Sequence, residues 1–401
     1  MAQATATRPG GTTRECFGVA LRLGLTSFGG PIAHIGYFQR CYVERCQWLS
    51  HADFTGLVAL CQMVPGPASS QLGFLIGYRR AGWGGALAAW AGFTLPSAVA
   101  MTAIAIGLGR YAGPSAIRDS VLHGFTLVAV AVVAQAVVTM ARSLCPDWRR
   151  ALIAVAAMAL VLVLAGPWAA LLAVICGGLA GVVAGKPAPR VSVSGSGRPG
   201  LAVLPVFVAL TGAALAAAGW RGHGIVALAA IFCRSGALVF GGGHVVLPLL
   251  RDALVPGQWI SDPAFLAGYG AVQAMPGPLF TFAAYLGAAC APVGGGWGLA
   301  VLYALVATLA IFLPGLLLAI AAQSVWQWLG HHRHAQTALA GINAAVVGVL
   351  GAAWCNPVAR TALLGRDDCI IATIGLILLL RWRTPPIVVV GLTVLASLIV
   401  R

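Results

Sequence analysis

Three kinds of chemistry-bearing feature recur in this chain, and each occurs twice. The first is a glycine cluster inside an apolar run. Ser27, Phe28, Gly29, Gly30 and Pro31 are followed by His34, and Phe240, Gly241, Gly242 and Gly243 are followed at once by His244. Paired glycines with a proline or a third glycine interrupt a helix. The N–H groups freed at the start of the continuing half-helix favour an anion. The second feature is Pro-Gly-Pro, at Pro65, Gly66 and Pro67 and again at Pro276, Gly277 and Pro278. Two prolines around a glycine cannot continue a helix, so each marks a turn or unwound stretch. Gln62, Ser69 and Ser70 stand beside the first, Gln273 and Thr281 beside the second. Their amides and hydroxyls can donate to oxyanion oxygens. The third feature is Arg22 and Arg234, each within an apolar run. A cation deep in a bilayer costs about 2.5–3.5 kcal/mol on insertion scales, and the guanidinium fork suits an oxyanion.

Each feature also has a plainer reading. Glycine pairs let helices pack closely. A proline turn can be a structural kink whose neighbouring hydroxyls bond to the backbone. An arginine near a helix start can reach the interface along its own stem. A buried histidine is often a satisfied core residue. The pairing of the three features at matched positions favours the site reading for them, whereas for His34 and His244, which do not align, the core reading is the stronger.

The elements that would position these residues are apolar runs. Of 401 residues, 60% are hydrophobic and 8% charged, and mean hydropathy is +0.93. Soluble domains carry roughly 25% charged residues, so a soluble enzyme and a disordered chain are both excluded. The runs do not alternate apolar and polar residues, which excludes an outer-membrane barrel. The fold class expected is all-α: a polytopic helical integral membrane protein with about 13 spans, some of them broken or re-entrant. The runs fall near 15–37, 54–78, 84–108, 119–140, 151–166, 168–185, 201–220, 224–250, 264–288, 297–323, 337–355, 367–381 and 385–400.

The two halves repeat. Arg22, Gly24 and Phe28 match Arg234, Gly236 and Phe240; Trp48, Ser50 and Phe54 match Trp259, Ser261 and Phe265. Leu95-Pro96 answers Leu313-Pro314, and Gly124 answers Gly341. Such ordered matches mark an internal duplication. The division expected is a first repeat at 1–185, a polar linker at 186–200, a connecting helix at 201–223 and a second repeat at 224–401. One odd span between two six-run copies turns the second upside down, the inverted-repeat plan of transporters.

The net charge is +15. With the N-terminus inside, the inner segments include Arg14, Arg79, Arg142, Arg251 and Arg383, and the outer ones include Arg40, Arg45, Arg110, Arg360 and Arg366. The excess falls on the inner side, as the loop-charge rule requires. The basic balance thus reads as membrane orientation, not nucleic-acid binding, and it is compatible with an anionic substrate. The ten cysteines form no paired motif, and no Walker loop or metal-ligand set is present, so neither cofactor nor metal is expected.

The stretches TSFGGPIAHIGYF, VERCQWLS and CQMVPGPASSQLGFLIGYRRAG resemble the first half of the chromate ion transporter family. VFGGGHVVLPLL and GYGAVQAMPGPLFTFAAYLGA resemble its second half. The resemblance covers nearly the whole chain and is to the long, two-domain members. It implies export of chromate from the bacterial cytoplasm across the plasma membrane, with chromate resistance as the outcome and sulfate as the related oxyanion. Two rivals stand beside that expectation. A passive oxyanion channel shares every compositional feature. A membrane-embedded chromate reductase would need a redox cofactor or paired thiols, and neither motif is seen. Expected partners are chromate, with sulfate second, and membrane lipid; a homodimer is left open.

Overall fold

A computed structural model describes residues 10–110, 115–164, 169–184, 202–217, 222, 224–240, 243–292, 294–331 and 333–400. Those residues are helical throughout, with short connections and no strand among them.

The first repeat opens with α1 (Thr13–Thr26), α2 (Gly30–Phe38) with its π-helical extension Gln39–Arg45, and α3 (His51–Met63). Next comes α4 (Ala68–Arg110), which is broken at Ala81 and Gly82 into a short arm, 68–80, and a long arm, 83–110. Gly82 sits at φ +62, where glycine meets no Cβ penalty. The repeat closes with α5 (Ser115–Leu144), α6 (Trp148–Leu164) and α7 (Ala169–Ala184). After α8 (Leu204–Ala216) the plan recurs. The second repeat has α9 (Ile225–Leu238), α10 (Val246–Leu254), α11 (Asp262–Val272) and α12 (Phe282–Ala289). It continues with α13 (Gly296–His331), α14 (Arg333–Ala353), the single turn α15 (Arg360–Ala362), α16 (Arg366–Arg381) and α17 (Pro386–Val400).

Local sequence explains the starts. Thr12 caps α1, its hydroxyl accepting the Glu15 N–H at 3.1 Å. Ser50 caps α3 and Ser261 caps α11, the same residue at matched places in the two repeats.

Four of the apolar runs do not continue across. In the first repeat, Arg80 at the end of the short arm pairs with Glu15 at 3.2 Å and lies 5.1 Å over the Trp48 ring. Arg79 reaches Asp53 at 3.6 Å. The start of α1, the end of the α2 extension, the start of α3 and the end of the short arm therefore share one face. Residues 13–45 and 51–80 are two helical hairpins that enter from this near face, with their tips at the glycine cluster and at Pro-Gly-Pro. The second repeat does the same. Arg251 holds Asp262 through two contacts of 2.7 Å, and the Tyr285 hydroxyl donates to the Ala264 carbonyl at 3.0 Å. The ends of α10 and α12 thus meet the start of α11. Hydropathy marked these four stretches as apolar, but it cannot tell a crossing from a return.

The repeats are inverted. The start of α5 lies where α4 has finished crossing, away from the near face. There His123 bonds Asp368 near the start of α16 at 2.7 Å, and Ser397 near the end of α17 donates to the Ser120 carbonyl at 2.8 Å. Helix α16 begins after α13 and α14 have gone out and back, on the hairpin face of the second repeat. That hairpin face is therefore the far face of the first repeat. The closing pairs are also exchanged: α6 and α7 pack on α14, and α16 and α17 on α5.

This arrangement relocates three cations. Arg40 and Arg45, expected on the side opposite Arg14, lie on the near face with it, because their helix returns there. Arg251, expected on the same side as Arg14, belongs to the far-face hairpins. Outward-facing side chains of the closing helices are apolar, with Val163 81% and Val183 89% exposed, which suits lipid contact. Among the described residues, four helices are long and apolar enough to cross a membrane: Ala68–Leu108, Asp119–Leu144, Gly296–Ser324 and His334–Ala362.

Candidate functional site

The four hairpin tips meet. The Gly66 N–H donates to the Val239 carbonyl oxygen at 2.7 Å, and the Gly277 N–H donates to the Ser27 carbonyl oxygen at 2.9 Å. Val239 is the counterpart of Ser27, and Gly277 of Gly66. Each Pro-Gly-Pro turn is thus docked on the glycine-cluster break of the other repeat. Glycine is required at both turns: Gly66 has φ +127 and Gly277 φ +96. A Cβ on Gly66 would lie 2.9 Å from the Gly315 Cα, and one on Gly277 would lie 2.9 Å from the Ser97 hydroxyl. Gln71 ties the first tip to α13, its amide donating to the Pro65 and Gly315 carbonyls at 2.8 and 2.9 Å.

The start of α2 is the most anion-ready group in the site. Gly29 (φ +100) and Gly30 (φ +78) turn the chain, and no side chain caps the helix. Pro31 lacks an N–H, so the remaining free donors of the first turn have no partner from a capping residue. Phe28 and Gly29 line the floor of a cavity of about 860 Å³. Close by, Ser27 and His34 are both fully buried; the Ser27 hydroxyl has no hydrogen-bond partner, and the His34 ring lies against the Ser27 backbone. The His34 ring stands edge-on to Phe93 at 5.3 Å. The hydroxyls of Ser70 and Thr94 are likewise buried without partners, while the Gln273 side chain lies against the Tyr269 hydroxyl. Buried polar groups are nearly always satisfied, so such a cluster asks for a ligand or water.

Other expected residues fall differently. Pro65, Pro67, Pro276 and Pro278 form the two turns, and Ser69 is buried in the first turn of α4. The Thr281 hydroxyl is used locally, donating to the Pro278 carbonyl at 2.8 Å. His244 is bonded to the Tyr269 hydroxyl at 2.6 Å, whereas His34 lies against the Ser27 backbone and Phe93, so the two histidines are not equivalent. Gly243 is buried, while Gly241 and Gly242 lie outside the described residues. Phe240 lines a separate apolar cavity. Arg234 is half-buried and Arg22 exposed, and neither has an ion-pair partner among the described residues. Gln62 is exposed on the last turn of α3. Thr94 and Ser97 were not singled out from sequence; the signal available was their place around Pro96, the matched proline.

Inverted repeats that meet through interrupted hairpins, around unpaired donors and an uncapped helix start, define a helical membrane protein of transporter architecture. The chain belongs to the chromate transporter family, whose sequence profile matches residues 14–182 and 226–398. It is 28% identical over 372 residues to a probable chromate transport protein of Synechococcus elongatus, covering 90% of this chain and 88% of that one. It is 26% identical over 405 residues to the chromate transport protein of Cupriavidus metallidurans, covering 96% and 92%. The chromate transport protein of Pseudomonas aeruginosa is also 26% identical, over 84% of this chain and 79% of that one. No solved structure matches the chain significantly. Family and apolar helices together make it a polytopic protein of the bacterial plasma membrane.

Proposed function

We propose that the protein is a secondary transporter, not an enzyme, that exports chromate from the cytoplasm and so confers chromate resistance. The near face is cytoplasmic in this reading, in keeping with Arg14, Arg40, Arg45, Arg79, Arg80, Arg142 and Arg383 gathered there. The observation that carries the proposal is the uncapped start of α2, opening on a cavity beside the buried His34 and the buried, unpartnered Ser27 hydroxyl. A dianion entering from the near face would replace its water with these N–H and side-chain donors. Each tip contact joins one repeat to the other, so rocking of the repeats would remake both contacts at once and turn the site to the far face.

The membrane potential supplies drive. Two negative charges moving outward across about 100 mV, inside negative, gain roughly 4.6 kcal/mol. A passive channel would need a polar path through both repeats, whereas the cavity beneath Phe240 is apolar. Sulfate, a tetrahedral dianion like chromate, is the second candidate substrate.

Inside-out vesicles provide the test. The expected result is chromate accumulation against its electrochemical gradient, depressed by excess sulfate if both anions share the site. Equilibration without accumulation would support a channel, and no uptake above vesicles lacking the protein would remove chromate as substrate.

A further inference from the structure

The cavity that ends on Phe28 and Gly29 runs along α5 toward the near face and the turn between α16 and α17. Its outer wall carries Gln135, Thr139 and Arg142 from α5 and Arg383 and Thr384 from that turn, and no carboxylate lines it. Arg142 and Arg383 are exposed, and neither has an ion-pair or hydrogen-bond partner among the described residues. Arg383 occupies the left-handed region at φ +51, which a non-glycine residue adopts only when its surroundings impose it. The Thr384 N–H donates to the Leu378 carbonyl at 3.1 Å and fixes the turn.

The inverted repeat supplies an internal comparison. A second cavity, against Phe240 and between α7 and α14, measures about 380 Å³ and is walled by Leu171, Val174, Leu179 and Ile342. At the separation set by Gly124 and Gly341, the counterparts of Gln135 and Arg142 are Ala352 and Ala359. The duplication therefore does not account for Arg142, whose counterpart carries no charge.

We infer that Arg142 and Arg383 form a second, outer anion site, a vestibule that captures a tetrahedral oxyanion at the near face and hands it to the floor at Gly29. The inference rests on the proposed oxyanion transport and names a step before it. Two unpaired guanidiniums in a recess raise the local anion concentration, and solvent keeps the hold weak enough for release inward.

The same chemistry would hold a lipid phosphate, so the test separates the two sources. Wild type, Arg142→Gln, Arg383→Gln, the double glutamine variant and the double lysine variant are compared for initial chromate uptake. One set is measured in inside-out vesicles, and another in reconstituted vesicles of zwitterionic lipid alone. The expected result is KM raised roughly two- to fivefold by each glutamine, with maximal rate kept. The double glutamine variant should also show a flatter dependence of KM on ionic strength, and the lysine pair should recover most of the loss. The KM effect should persist without anionic lipid. Unchanged KM and salt dependence in the double glutamine variant, in membranes where wild type transports chromate, would overturn the vestibule. So would an effect confined to vesicles with anionic lipid, which would assign the arginines to headgroups. Absence of wild-type transport would instead count against the function on which the vestibule rests.

Discussion

The Gly277 N–H ends on the Ser27 carbonyl oxygen, 2.9 Å away, so a turn of the second repeat completes the backbone of a break in the first. The Gly66 N–H does the same for Val239 at 2.7 Å. Two bonds between equivalent residues, each crossing from one repeat to the other, make the centre of the molecule a joint product of both halves.

Substitutions at the two turns should therefore have matching effects. In Gly66→Ala and Gly277→Ala the new Cβ meets positive φ and close neighbours on the opposite repeat. Backbone strain of this kind costs about 1–3 kcal/mol before any clash. Both variants are expected to lose most chromate uptake at equal expression. Loss in one with full activity in the other would deny the two contacts equivalent roles.

The arginines within the first hairpin of each repeat should differ. Arg234 is half-buried and Arg22 exposed. A charge-assisted hydrogen bond contributes about 1.5–3 kcal/mol, equivalent to roughly tenfold or more in KM. Arg234→Ala should show a loss of that size and Arg22→Ala a smaller one. Unchanged uptake in both would take these arginines out of the site.

His123 and Asp368 join α5 to α16 at 2.7 Å, with side chains only 8% and 9% exposed. The Asp368 carboxylate also accepts the Leu364 N–H at 2.9 Å. Leaving one partner of such a buried hydrogen bond unsatisfied costs about 1–3 kcal/mol. His123→Ala and Asp368→Ala should each lower the melting temperature of the purified protein, and the double leucine variant should recover part of the loss. Wild-type melting in both single variants would mean that the exchanged helices are held without this pair.

Inversion itself can be read from labelling. Arg149 and Arg366 stand at corresponding places after α5 and after α14. In a background without native cysteines, an impermeant maleimide should label Arg149→Cys only in inside-out vesicles. It should label Arg366→Cys only in right-side-out ones. Labelling of both from one side would make the repeats parallel.

Much of this was legible in the chain. Gly29, Gly30, Gly66 and Gly277 announced their breaks because glycine and proline act locally, and the duplication doubled each signal. The odd helix α8 gave the inversion. What sequence could not give was direction. Residues 15–37 are as apolar as a crossing span, and only Glu15, Trp48 and Arg80 coming together show that the chain turns back. The tip contacts and the His123–Asp368 pair join distant segments, which no local pattern reports. Arg142 and Arg383 read as ordinary near-face cations, since only the exchange of α16 and α17 onto α5 brings them to one cavity.

The most direct measurement is the position of chromium, located by its anomalous scattering in crystals grown with chromate. The expected result is one site at the cavity floor against Gly29, among tips contributed by both repeats. Chromium held by one repeat alone, or helices running unbroken through residues 27–30 and 239–243, would contradict it.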